Sequence, residues 1–167
     1  TEDSSCDNPG SESYTTVTGL NASSEFAYYD LDTNTQLELT DEQAETNKEW
    51  DMAFYSTSII LNGNASGAGD VKAFFTGNNS EFYDVNGDAV VDEFTSATPE
   101  TELEDFLAVT EYAASTDFVY DQLDTVFGTD FYNYNFTSHE ITANDGQYYL
   151  LKSGETYYKV RVTSTSY

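Results

Sequence analysis

Apolar and polar positions alternate along much of this chain. Phe26, Tyr28 and Asp30 alternate with Ala27, Tyr29 and Leu31, the two-residue period of a half-buried strand. Asp32-Thr33-Asn34-Thr35 has the composition of a turn, followed by a short strand over 36–39. Thr40 and Gln43 have the spacing of a capping box and predict a short helix to about residue 47. Segments 50–55, 58–61, 71–75 and 81–85 read as strands, with a Gly-rich loop over 62–69. At the C-terminal end, 147–152 and 156–163 flank Ser153-Gly154-Glu155 and predict a hairpin. In its second strand Tyr158, Val160 and Val162 share one face, opposite Tyr157, Lys159 and Arg161.

Two stretches depart from this period. Over 99–114, Thr98 suits an N-cap, Pro99 the first turn, and Glu100, Glu102, Glu104 and Asp105 the positive end of a helix. Leu103, Phe106, Leu107, Thr110 and Ala114 then fall on one stripe, which would cover a sheet or core. Segment 118–127 is ambiguous: Val119, Leu123, Val126 and Phe127 suit a helix that Gly128 would end. The expected fold class is mainly β, antiparallel sheets and hairpins with one or two short helices. Residues 1–24 read as a flexible polar arm, and 25–167 as a single domain.

Charge and composition narrow the function. The chain carries 31 Asp and Glu against 5 Lys and Arg, a formal net charge of −26. Such a field repels phosphate backbones, so nucleic acid is not an expected partner. The 14 Tyr and 11 Phe argue against an acidic disordered chain and for a folded, aromatic-rich domain. With one His and one Cys there are few nucleophile–base pairs, and no catalytic motif is visible, so an enzyme is not expected. The lone Cys6 cannot form an internal disulfide. Self-repulsion of this size points to a salt-rich, marine or halophilic setting, where a short Debye length screens it.

The order of motifs is that of a known family. Phe-Ala-Tyr-Tyr-Asp-Leu at 26–31 is followed by Trp-Asp-Met-Ala-Phe at 50–54 and Leu-Asn-Gly-Asn-Ala-Ser-Gly-Ala-Gly at 61–69. The chain then closes on Tyr-Tyr-Leu-Leu-Lys-Ser-Gly-Glu-Thr-Tyr-Tyr-Lys-Val-Arg-Val at 148–162. This succession, over about 24–167, resembles the HmuY-like family of secreted or lipid-anchored bacterial haem-binding proteins. The resemblance implies a mostly β fold and a non-enzymatic role outside the cell or attached to the outer membrane. There the protein would capture haem or another iron-bearing ligand, such as a ferric siderophore, and pass it to an outer-membrane transporter. Haem-binding relatives hold the iron between two His or Met side chains. Here only His139 and Met52 are of those types, and Met52 falls at an apolar core position of the pattern.

His139 is the obvious iron ligand by chemistry, and Tyr phenolate is another known one. Tyr132 and Tyr134 lie close to His139 in sequence; Tyr148, Tyr149, Tyr157 and Tyr158 are further candidates for an aromatic wall. The plainer readings are a histidine bonded to Glu140 or backbone, and tyrosines that bury a ring and expose a hydroxyl. Lys152, Lys159 and Arg161 could pair with ligand carboxylates, or simply neutralise a negative field. Asp84, Asn86, Asp88 and Asp92 supply oxygens with the opening spacing of a Ca²⁺ loop, although Ala89 and Thr95 stand where Gly and a bidentate acid belong. An alternative function is structural: an assembly protein self-associating through residues 1–24, the arm pairing with a neighbour's sheet edge to build surface polymers.

Overall fold

The computed structural model describes residues 15–75, 119–120, 127–128, 131–144 and 148–165. Cys6, the strand expected over 81–85, the helix expected over 99–114 and the run from Asp84 to Asp92 lie outside the described residues.

The first sheet is built from β1 (Ala27–Asp30), β2 (Thr35–Leu37), β3 (Met52–Tyr55) and β4 (Ser58–Leu61), in the order β2-β1-β3-β4. All its pairings are antiparallel, with Tyr29 opposite both Gln36 and Met52, and Met52 opposite Leu61. Between β2 and β3 lies α1 (Asp41–Ala44), where the capping box is present as expected: Thr40 Oγ1 accepts from Gln43 N–H, and Gln43 Oε1 accepts from Thr40 N–H at 2.9 Å. The helix is shorter than its pattern predicts, ending at Ala44 and unwinding towards Asn47. The chain must turn there because Trp50 dives into the core, its indole N–H donating to Ala44 O at 3.1 Å.

The second sheet contains β5 (Val71–Phe75), β6 (Val119–Tyr120), β9 (Tyr148–Ser153) and β10 (Thr156–Arg161), in the order β10-β9-β5-β6. The C-terminal hairpin is present, its two-residue turn closed by Gly154 at φ 55°, a left-handed conformation that glycine adopts without strain. The helical reading of 118–127 is corrected at its start: Val119–Tyr120 is a strand against Lys72 and Ala73 of β5. Ladder bonds offered by a strand distant in sequence override a local preference here. β7 (Tyr132–Tyr134) and β8 (Ile141–Ala143) form a separate hairpin.

The two sheets face each other across one core. Met52, Ile59 and Leu61 of the first sheet pack with Val71, Ala73, Tyr149 and Leu151 of the second, joined by Phe127 and Phe131. Tyr158, Val160 and Val162 pack against the same cluster, so the face expected to share a side does, and it is the inner one. The other face of the first sheet is covered as well: Tyr28, Ala53, Trp50 and Ala44 form a second cluster beneath α1. That corrects the half-buried reading of the first strand. All four residues of β1 are buried, because it is a central strand with a layer on each side.

Passage from the first sheet to the second depends on one buried amide. Asn62, fully enclosed, donates from its side chain to Trp50 O (2.7 Å) and Asn47 O (3.0 Å), and accepts from Gly69 N–H (2.8 Å). A Cβ on Gly69 would stand 2.7 Å from Asn62 O, which explains why this return must be glycine. The sheets also meet at an acidic seam. Asp51, buried in the first sheet, accepts from Leu31 N–H at 2.7 Å and from Ser153 of β9. Tyr158 of β10 donates to the Asp32 carboxylate. Burial pushes the Asp51 carboxyl above the usual carboxylate range, and the charges of Asp30 and Asp32 add to the push. The Tyr158 hydroxyl is likewise raised, first by burial and then by its bond to Asp32.

Candidate functional site

The β7–β8 hairpin brings His139 and Tyr134 together. Tyr134 pairs with Ile141, leaving residues 135–140 to form the connection. Asparagine begins it for a physical reason: Asn135 Oδ1 accepts from Thr137 N–H (2.8 Å) and Ser138 N–H (3.1 Å), a local turn that only a short polar side chain makes. Asn135 also closes the loop through its backbone, accepting from His139 N–H at 2.8 Å and donating to Glu140 O at 2.9 Å. These four bonds hold His139 at φ 59°, a left-handed conformation uncommon for a residue with a side chain. The hairpin is anchored from below. Phe131 is buried in the core and stands edge-on to Tyr132, and Asn144 N–H donates to Phe131 O at 3.0 Å.

At the exposed end, the Tyr134 hydroxyl lies 2.6 Å from His139 Nδ1. With its proton on Nδ1, the imidazole donates to the tyrosine oxygen and keeps a lone pair on Nε2. A phenol in that position holds the ring orientation; because its hydroxyl both donates and accepts, the contact is compatible with either tautomer. Phe136 packs edge-on against Tyr134, ring centroids 5.0 Å apart, yet is 84% exposed. Tyr134 is 39% exposed. The two rings form a small apolar platform at the end of a bonded loop.

The other expected contributors are placed elsewhere. Lys152, Lys159 and Arg161 lie on the face of the second sheet opposite the core, whereas Tyr132 packs against the core cluster itself. Tyr149 and Tyr158 line the interior, and Tyr157 sits beside Lys152, whose Nζ is 5.6 Å from its ring centroid. Met52 is buried between the sheets, as its pattern position implied. Asp84, Asn86, Asp88 and Asp92 lie outside the described residues; among the described residues no group of three or more His, Cys, Asp or Glu is placed to hold a metal. Phe136 was not foreseen as a site residue. The signal available was an apolar residue inside the polar run Asn135-Phe-Thr-Ser, where nothing local would bury it.

The family model described as HmuY protein matches residues 22–167. The chain belongs to the HmuY family. No curated protein matches the chain. Membership in the HmuY family associates the chain with haem. One imidazole is oriented by a phenol, with exposed rings beside it. The fit is to one His or Met contact with iron and not two, since the only methionine is enclosed in the core.

Proposed function

We propose that this protein captures a haem-like, iron-bearing planar ligand outside the cell, at the β7–β8 hairpin, for delivery to an outer-membrane transporter. It acts as a binding protein without catalytic activity. The observation that carries this reading is the 2.6 Å contact between Tyr134 and His139 Nδ1 beside the exposed Phe136 ring. His139 Nε2 would meet the iron, Tyr134 would hold the imidazole ring in place through Nδ1, and Phe136 would cover part of the ligand's flat face. The ligand supplies the iron; the chain supplies orientation and apolar contact. Family membership supports the haem-related part of this reading.

The test is a titration of the purified apo-protein with haemin, followed at the Soret band. A saturable shift is expected for the wild type, and its loss for His139→Ala. Phe136→Ala should weaken binding while leaving the position of the band unchanged. A spectrum of His139→Ala that overlays the wild type at every haemin concentration would refute the assignment of His139. No shift in the wild type would refute haem itself.

A further inference from the structure

Every residue from 133 to 140 is exposed, so the β7–β8 hairpin ends in a tip that stands in water. That tip carries His139, with Tyr134 at 39% and Phe136 at 84% exposure beside it. Its shape is set from within: Asn135 Oδ1 and the backbone bonds of Asn135 fix the loop, and Phe136 stands edge-on to Tyr134. The chain as a whole is strongly acidic, with 31 Asp and Glu, yet residues 131–144 include one acid, Glu140, and no Lys or Arg. Two copies of a molecule with a net charge of −26 can therefore approach at this tip with few charges facing each other. At about 0.15 M salt, charges more than about 8 Å away are largely screened.

One such tip serves half of a haem. The iron has two axial positions, on opposite faces of the macrocycle, and an imidazole suits either. His139 can fill one of them. The same chain offers neither a second histidine nor an accessible methionine for the other: His139 is the only His in the sequence, and the only Met, Met52, is 4% exposed within the core. Tyr134 does not reach the far position, because a phenol bonded to Nδ1 lies on the same side of the iron as the imidazole it holds. A single tip would also leave one whole apolar face of the ring system in water, which the hydrophobic effect disfavours.

We infer that one haem is shared between two chains, the hairpin tip of a second copy supplying its own His139 to the opposite face of the iron. This inference rests on the haem reading above. The two axial positions are equivalent, so a two-fold axis through the iron, in the plane of the macrocycle, relates the copies, and the contact is closed and isologous. Each Phe136 covers the face on its own side, and each Tyr134 steadies its own imidazole. The second chain contributes the ligand that the first lacks, so capture and pairing are one event, and haem is what joins the tips.

The experiment is titration of the full chain with haemin at about 0.15 M sodium chloride, followed at the Soret band and by sedimentation of the same samples. Saturation is expected at about half an equivalent of haemin per chain, with a doubling of mass and the low-spin visible spectrum of two imidazole ligands. Zinc protoporphyrin, whose metal takes a single axial ligand, should bind and leave the chain monomeric. His139→Asn, chosen because asparagine tolerates the left-handed φ of 59°, should abolish both the Soret shift and the doubling. Saturation at one equivalent with the mass of a monomer would overturn the pairing and leave haem capture standing. Doubling with zinc protoporphyrin, or doubling that survives in His139→Asn, would assign the association to stacking of rings and overturn the shared ligation too. A wild-type chain with no Soret shift would remove the haem reading itself, and this inference with it.

Discussion

Replacing Asn62 by alanine tests the link between the two sheets. The side chain makes three hydrogen bonds, one fully buried to Trp50 O and two partly buried to Asn47 O and Gly69 N. Truncation leaves the Trp50 carbonyl enclosed without a donor, at a cost of about 1–3 kcal/mol, and the two partly wetted groups add about 1 kcal/mol each. The sum is roughly 4 kcal/mol, a large part of the ~5–15 kcal/mol that holds a typical domain together. With a urea m-value of about 2 kcal/mol/M, the unfolding midpoint should fall by about 2 M. Trp50 is the only tryptophan and is 1% exposed, so its emission reports the transition without ambiguity. Asn62→Asp is the companion variant: it keeps the acceptor for Gly69 N–H but turns an oxygen towards two carbonyls, and should also destabilise at neutral pH. A midpoint shift of under about 0.5 M for Asn62→Ala would refute the reasoning, because water would then be replacing all three bonds at little cost.

Two further outcomes follow from charge. Burial raises the Asp51 carboxyl, so the folded state holds this proton more tightly than the unfolded chain does. Its contribution is therefore fully present below the ordinary carboxylate range and is lost as pH rises through the elevated folded value. Asp51→Asn, which can still accept from Leu31 N–H, should be more stable than the wild type at pH 7, and the gap should close towards pH 4. An equal loss of stability in the variant at both pH values would contradict this. Screening should raise the melting temperature across a series from low salt to about 1 M, where the Debye length falls to about 3 Å. Melts that do not move with salt would remove the ground for a salt-rich setting.

Much of the architecture was legible from local chemistry. The capping box at Thr40 and Gln43, the strands Ser58–Leu61 and Val71–Phe75, and the C-terminal hairpin with its inner and outer faces are written in side-chain period and turn residues. The motif order was enough for the family, because it reflects the succession of those same elements. Local pattern misjudged β1, which has both faces covered, and Val119–Tyr120, which is a strand because β5 offers it an edge. His139 could be named from composition alone. The phenol that orients it and the exposed ring beside it depend on six residues folding back upon Asn135.

The sequence by itself determined the secondary structure of most segments, the excess of negative charge and the scarcity of His and Met. Each of these is a property of neighbours a few residues apart, or of a simple count. Only the tertiary structure decided which residues meet. β5 and β9 are joined in space but far apart along the chain, so no local period could set Lys72 opposite Lys152. The same sheet places the cations on its outer face, away from the core where Tyr132 packs. Pairing register and the stacking of one sheet on another are global choices, made where hydrophobic burial and backbone hydrogen bonding are satisfied together.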